Sequence, residues 1–213
     1  MSETRILIVD DHPLFRRGVR QLVEMDPDMV IAGEASNGIE AAEVAGTLDL
    51  DLILMDMNMA KMDGLEALRQ MRSNGTDTRI VMLTVSDADD DVVAALRAGA
   101  DGYLLKDMEP EDLLARIKEA AEGKLVISPQ LAAILAGIVS GGRAAPADAL
   151  ATLTSRELDI LRALARGMSN KMVARRLDIT EGTVKVHVKN LLRKLGLRSR
   201  VEAAVWAVNH GVS

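Results

Sequence analysis

The sequence contains no cysteine, which excludes disulfide bonds and thiolate chemistry. It has one Phe, one Tyr and one Trp, too few for binding single-stranded nucleic acid or RNA loops by aromatic stacking. Its longest apolar stretch, Leu131–Val139, is far shorter than the ~18 residues of a membrane-spanning helix. The short apolar run near the N-terminus is not typical of a signal peptide. We therefore expect a cytoplasmic protein with no membrane partner.

Acidic and basic residues are unevenly distributed along the 213 residues. Residues 150–213 carry 12 Lys and Arg against 5 Asp and Glu, a net charge of +7. Residues 1–149 carry 14 against 27, a net charge of −13. An acidic part joined to a basic part predicts two domains with different tasks, the second in contact with a polyanion.

Residues 1–124 contain alternating strand and helix patterns. Short apolar runs such as Arg5–Asp11 and Arg79–Ser86 alternate with segments of helical apolar spacing, giving five predicted strands and five predicted helices. The runs do not alternate with polar residues, as expected of strands that are covered on both faces. We therefore predict a parallel α/β sheet whose ligands bind beyond the carboxyl ends of the strands.

Polar side chains follow four of these predicted strands at their carboxyl ends. They are Asp10 and Asp11, Asp56, Thr84 and Lys106. Three carboxylates at one edge repel one another and need a cation, and oxygen ligands on loops favour Mg²⁺. Each residue alone also fits an ordinary role, such as a helix cap or a surface lysine. Their joint placement is what predicts a functional site.

This set resembles the receiver domain of bacterial two-component response regulators over residues 4–124. The resemblance implies a flavodoxin-like (βα)5 fold with the strand order 2-1-3-4-5. It also implies that Asp56 accepts a phosphoryl group from a sensor histidine kinase. Mg²⁺ would be held by Asp11, Asp56 and the backbone carbonyl of Asn58, with Asp10 acting through water.

The same resemblance assigns the remaining site residues. It implies that Lys106 and the Thr84 hydroxyl contact the phosphoryl oxygens, and that Tyr103 repacks when the domain switches. Ala60 lies where this family usually has proline, so we expect a less rigid loop after the phosphoacceptor. Asp107 lies where many receivers also have proline. Neither difference removes a predicted ligand.

Residues 125–149 are predicted to be a linker. Ser128–Val139 has the pattern of a helix with Ser128 as its cap and Pro129 in its first turn. The residues after it are rich in Gly, Ala and Pro and have no periodic apolar face, which is typical of a flexible tether. A structured surface loop is the alternative.

Residues 150–213 are predicted to form a small domain of four helices. Thr154 and Glu157 have the spacing of a capping box, and Ser199 with Glu202 repeats that spacing. A turn at Asp178–Thr180 separates a short helix from a longer basic one, which predicts a helix-turn-helix. The fold class is therefore α/β followed by all-α.

The longer basic helix has two distinct faces. Val184, Val188, Leu191 and Leu195 share one face and are predicted to be core. The opposite face fits the major groove of double-stranded DNA, with cations for phosphates or guanine and a valine for a thymine methyl group. A solvated lysine face is the alternative. The predicted DNA contacts are Thr183, Lys185, Val186, Lys189 and Arg193.

This last segment resembles the LuxR-type DNA-binding domain, in the stretches "LTSREL", "NKMVARRLDITEGTVKVHVKNLLRKL" and "SRVEAAV". That family dimerises through its last helix. The resemblance therefore implies a homodimer held by Val201, Ala204, Val205 and Val208. Together, the receiver and this domain resemble NarL-type response regulators, the nitrate/nitrite regulators.

We therefore predict a transcription factor controlled by phosphorylation of Asp56, in which the unphosphorylated receiver blocks the basic helix. Its only catalysis would be its own phosphorylation and dephosphorylation. A phosphatase that forms an aspartyl phosphate is one alternative, but Asn58 stands where such an enzyme needs a second acid. A constitutive DNA-binding protein with an inactive receiver is the other.

Overall fold

The structure is a computed structural model that describes residues 3–85, 89–124, 126, 150–168, 170–197 and 199–212. The chain divides into two compact units, Met1–Ala121 and Glu122–Ser213. The predicted linker helix Ser128–Val139 and the tether that follows it lie outside the described residues. Within the described ranges, no helix is long and apolar enough to cross a membrane.

The first unit contains alternating strands and helices. The strands are β1 (Thr4–Val9), β2 (Met29–Ala35), β3 (Leu52–Asp56), β4 (Arg79–Thr84) and β5 (Gly102–Leu105). The helices are α1 (Pro13–Glu24), α2 (Gly38–Thr47), α3 (Gly64–Ser73), α4 (Asp89–Ala98) and α5 (Pro110–Ala121). The strands form one parallel sheet in the order β2-β1-β3-β4-β5, which confirms the predicted fold.

The central strands form the core of this unit. Every residue of β3 and β4 is buried, and so are the last four residues of β1. Their uninterrupted apolar sequences fit strands that have no solvent-exposed face.

The strand register aligns the carboxyl ends of neighbouring strands. Asp56 is in register with Leu83, and Thr84 is in register with Leu105. β1 ends one residue before Asp10. Residues that follow these strands therefore meet at one edge of the sheet.

The start of α3 packs tightly against the end of β3. Asp63 caps the helix, since its Oδ1 accepts a hydrogen bond from the Glu66 amide at 2.7 Å. The Gly64 amide donates to the Met57 carbonyl oxygen at 3.0 Å. A Cβ atom at residue 64 would overlap the carbonyl oxygen of Asp56. Only glycine allows this approach of the helix to the strand.

The second unit begins with a 3-10 turn at Leu150–Thr152 and continues with the four predicted helices. They are α6 (Ser155–Ala165), α7 (Asn170–Leu177), α8 (Glu181–Leu195) and α9 (Arg200–Asn209). The turn between α7 and α8 completes the predicted helix-turn-helix. Gly196 ends α8 in the left-handed conformation, at φ +68°.

A compact apolar core holds these four helices together. It includes Leu161 of α6, Val173 of α7, Leu191 of α8 and Trp206 of α9. On α8, Val184, Leu191 and Leu195 are buried, and Val188 packs against the same core. The face of α8 that was predicted to be core therefore lies inside the domain.

One ion pair ties the end of α8 to the start of α6. Glu157 forms the predicted capping box with Thr154, and its Oε2 also accepts a hydrogen bond from Lys194 Nζ at 2.6 Å. Burial raises the pKa of Glu157, but hydrogen bonds from Lys194 and Thr154 outweigh it and leave the pKa below its usual value. Lys194 also donates to the Thr152 carbonyl oxygen at 3.0 Å.

Candidate functional site

The first candidate site lies at the carboxyl ends of β1, β3 and β5. Asp10 and Asp56 are 0% and 2% exposed. Lys106 Nζ lies 2.6 Å from Asp10 Oδ2 and 2.8 Å from Asp56 Oδ2, so one ammonium bridges both carboxylates. The same nitrogen lies 4.8 Å from the centre of the Phe15 ring, which is a cation–π contact.

Asp56 is held in an environment that disfavours its charge. Burial raises its pKa above the ordinary value, and the negative charge of Asp10 raises it further. Hydrogen bonds from Lys106 and from the Asn58 amide, the latter at 3.3 Å, offset only part of this effect. Carboxylates whose pKa is perturbed by burial and by a specific charged partner cluster at functional sites, which makes Asp56 the candidate reactive residue here.

The acidic cluster has the composition of a metal site. Ligand atoms of Asp10, Asp11, His12 and Asp56 all lie within 4.8 Å of one another. Among the described residues, the partners of Asp10 Oδ2, Asp11 Oδ1 and Asp56 Oδ2 are limited to Lys106 and His12. Buried carboxylate oxygens with spare lone pairs suit a divalent cation. The carboxylates of Asp10, Asp11 and Asp56 therefore fit a metal ion.

His12 is a member of this cluster that sequence reasoning missed. Its Nδ1 lies 2.8 Å from Asp11 Oδ1 and 3.4 Å from Asp10 Oδ1, while its ring remains 70% exposed. Its position directly after Asp10 and Asp11 in the sequence could have indicated this role. Its backbone amide also donates to Asp10 Oδ1 at 2.7 Å, which holds that carboxylate in place.

The remaining predicted residues of this site lie in β4, in β5 and in the loop after β3. Thr84 is fully buried at the end of β4, and its carbonyl oxygen accepts a hydrogen bond from the Lys106 amide at 2.7 Å. Tyr103 is 1% exposed and lies within β5. Asn58 is exposed in the loop that follows β3.

The second candidate site is the outer face of α8. Lys185, Val186, Lys189 and Arg193 are all exposed, and Val186 is 59% exposed although it is apolar. Thr183 lies at the start of the helix, where its Oγ1 is 2.9 Å from that of the capping residue Thr180. The structure therefore separates a basic outer face from the buried inner face, as the sequence predicted.

The apolar residues predicted to pair two copies of α9 differ in exposure. Val201 and Ala204 are buried, at 2% and 9% exposed. Val205 is partly buried, and Val208 is 62% exposed. Only Val205 and Val208 therefore offer apolar surface to a second copy.

Comparison with known proteins matches both units to families. Residues 6–118 match the family described as response regulator receiver domain, and residues 151–207 match bacterial regulatory proteins of the luxR family. The nitrate/nitrite response regulator protein NarL of Escherichia coli (strain K12) is 55% identical over 201 residues, which cover 94% of this chain and 93% of NarL. The chain belongs to the NarL-type response regulators.

Two further relatives support this assignment. The nitrate/nitrite response regulator protein NarP of the same strain is 51% identical over 94% of this chain and 93% of NarP. The crystal structure of response regulator ChrA, from a heme-sensing two-component system, covers 100% of both chains with 31% identity and a TM-score of 0.51. This response regulator therefore combines a receiver domain with a LuxR-type DNA-binding domain, and it is not a classical enzyme.

Proposed function

We propose that this response regulator switches DNA binding by phosphorylation of Asp56. A sensor histidine kinase would donate the phosphoryl group, and phosphorylation would release the DNA-binding domain for binding to an operator as a homodimer. The observation that carries the proposal is the ammonium of Lys106 between the buried carboxylates of Asp10 and Asp56. That arrangement provides a nucleophile and a cation for the incoming phosphoryl group at one edge of the sheet.

In the proposed reaction, a carboxylate oxygen of Asp56 attacks the phosphorus of a phosphohistidine. A P–O bond forms, the P–N bond breaks, and the imidazole of the kinase leaves with the electron pair. Lys106 then contacts the phosphoryl oxygens, and Thr84 contributes its hydroxyl from the end of β4. The protein acts by positioning and by neutralising charge, which are the main sources of catalysis in phosphoryl transfer.

We propose Mg²⁺ as the metal at this site. Asp11, Asp56 and the backbone carbonyl of Asn58 would hold it, with Asp10 acting through a water molecule. Bound Mg²⁺ would neutralise the negative charge of the phosphoryl group. Tyr103 lies inside β5. Its side chain would repack on phosphorylation, and this would change the surface of the domain.

For the DNA-binding domain, we propose that α8 enters the major groove of the operator. Lys185, Lys189 and Arg193 would meet phosphates or guanines, and Val186 would contact a thymine methyl group. Thr183, at the start of the helix, would be close to the same strand of DNA. The homodimer would form through Val205 and Val208 of α9, since the rest of the predicted stripe is buried.

The signal that reaches this regulator is inferred from its relatives. Both Escherichia coli proteins carry nitrate/nitrite in their names. At 55% identity, we propose that this chain serves a nitrate/nitrite-type system in the cytoplasm, where the kinase domain and the DNA would both be accessible.

The test of this function is DNA affinity before and after phosphorylation of the full chain. DNA would first be selected from a random library with protein treated with a small acyl-phosphate donor and Mg²⁺. We expect phosphorylation to tighten binding to this DNA by about tenfold, a typical coupling between two sites. Equal affinity of the phosphorylated and unphosphorylated chains would show that phosphorylation does not control binding.

Lys189→Ala tests the docking face of α8. If Lys189 meets a phosphate, its loss should weaken binding to all DNA sequences and reduce the slope of log affinity against log salt by roughly one unit. The measurement is a titration of the phosphorylated chain at several salt concentrations. Arg162→Ala, at an exposed cation on α6 that is paired with Asp159, is the control and should leave the slope unchanged. A wild-type slope for Lys189→Ala would remove this residue from the interface.

A further inference from the structure

The loop after the phosphoacceptor makes a backbone contact with one of the predicted metal ligands. The Ala60 amide nitrogen donates a hydrogen bond to Asp11 Oδ2, with 3.2 Å between the two atoms. The other oxygen of the same carboxylate, Oδ1, lies 2.8 Å from His12 Nδ1 and is buried, and Asp11 belongs to the cluster with Asp10, Asp56 and His12. One oxygen of Asp11 is thus bound to the loop, which leaves Oδ1 as its candidate metal-binding atom.

Backbone hydrogen bonds hold the loop around Ala60 in a defined conformation. The Met62 amide donates to the Ala60 carbonyl oxygen at 3.0 Å, and Lys61 between them has a φ of +69°. A hydrogen bond across a single residue with positive φ is a strained γ-turn. The Met62 carbonyl oxygen accepts from the Gly38 amide at 3.1 Å, which fixes the loop to the start of α2.

We propose that the Ala60 N–H is a positioning group for the metal site. It fixes the rotation of the Asp11 carboxylate, so that Oδ1 is directed at the cation before the cation binds. This inference rests on the proposed role of Asp11 as a metal ligand. Hydrogen bonds to the ligands of a metal tune its affinity, and their loss typically weakens binding by about 10- to 100-fold.

Two explanations of how residue 60 affects metal binding, its hydrogen bond to Asp11 and the rigidity of the loop, predict opposite effects of substitution. Proline would stiffen the loop but has no N–H to donate, whereas glycine keeps the N–H and loosens the chain. If rigidity controls the site, Ala60→Pro should bind metal at least as well as wild type and Ala60→Gly should bind it less well. If the hydrogen bond controls the site, the order is reversed.

The experiment measures the affinity of the full chain for Mn²⁺, whose free ion is detected by electron paramagnetic resonance, with Mg²⁺ as the competitor. No phosphodonor is present, so the result does not depend on the reaction. We expect Ala60→Pro to weaken the binding of both ions by about tenfold. Ala60→Gly should bind them with the same affinity as wild type. Wild-type affinity for Ala60→Pro, or a loss confined to Ala60→Gly, would overturn the proposal.

A second substitution covers the case in which Ala60→Pro does not fold. Replacing the residue 60 amide by an ester, with lactic acid in place of alanine, removes the N–H without adding a ring. The ester should weaken metal binding by about tenfold as well, and wild-type affinity for it would overturn the proposal. If the wild-type chain itself bound neither ion, the proposed metal site would fail along with this inference. A wild-type chain that binds metal, with no effect of either change, would refute the positioning role alone.

Discussion

Asp56→Asn should abolish phosphorylation, lowering the rate of phosphoryl incorporation from a small acyl-phosphate donor by roughly 10³-fold or more. The amide has almost the same shape as the carboxylate but is not a nucleophile. The fold should survive, because burial already disfavours the charge of Asp56 and raises its pKa. The measurement is the fraction of intact protein that gains the mass of one phosphoryl group in the presence of Mg²⁺.

Asp49→Asn is the matched control for this experiment. Asp49 is exposed just before β3, so the same chemical change there should leave phosphorylation unaffected. If Asp56→Asn were phosphorylated as fast as the control, the nucleophile would have to be another residue. Asp10 and Asp11 would then be the next candidates, because they share the cluster.

The second large effect is expected from Gly64→Ala. The added methyl group would overlap the backbone carbonyl oxygen of Asp56. The overlap can be relieved only if the end of β3 or the start of α3 moves, and both are backbone segments held by hydrogen bonds. We expect a loss of about 3 kcal/mol in the free energy of unfolding, at the upper end for an overpacked site. Phosphorylation should also slow, since relief of the overlap moves the phosphoacceptor. Urea denaturation of the full chain, followed by receiver-specific signals such as Tyr103 fluorescence, measures the loss.

Gly46→Ala is a control that should increase the free energy of unfolding rather than lower it. Gly46 is exposed in the last turn of α2, and a Cβ atom there would meet nothing within 4 Å. Alanine should therefore stabilise the helix by about 0.5 kcal/mol, because glycine is the poorer helix former. If both substitutions changed stability by the same amount, the contact between Gly64 and Asp56 would not be the cause.

The fold and the acidic edge of the sheet could be predicted from the sequence, because both follow from periodic patterns. Buried parallel strands are uninterrupted apolar runs, and a residue that ends such a run must lie at the carboxyl edge. Asp56, Thr84 and Lys106 were located by this reasoning alone. The two faces of α8 followed in the same way from the 3.6-residue period.

Contacts that depend on loop conformation could not be predicted. The bond from Ala60 to Asp11 joins residues 49 positions apart, in a loop where Lys61 has a positive φ. The sequence suggested only that the loop lacks a proline. Likewise, the apolar stripe of α9 could not be divided between core and surface, because that division depends on how α9 packs against α6.

Part of the positive charge of the DNA-binding domain is committed to its own fold. Lys194 is paired with Glu157, while the guanidinium groups of Arg156 and Arg200 donate to the carbonyl oxygens of Leu177 and Met168. These cations cannot move to meet a polyanion without loosening the helices. Retention on heparin should therefore be weaker than the net charge of this segment suggests. Cations that are bound within the domain contribute less to its nonspecific attraction to nucleic acid. Its preference for one promoter over another then depends more on contacts with the bases.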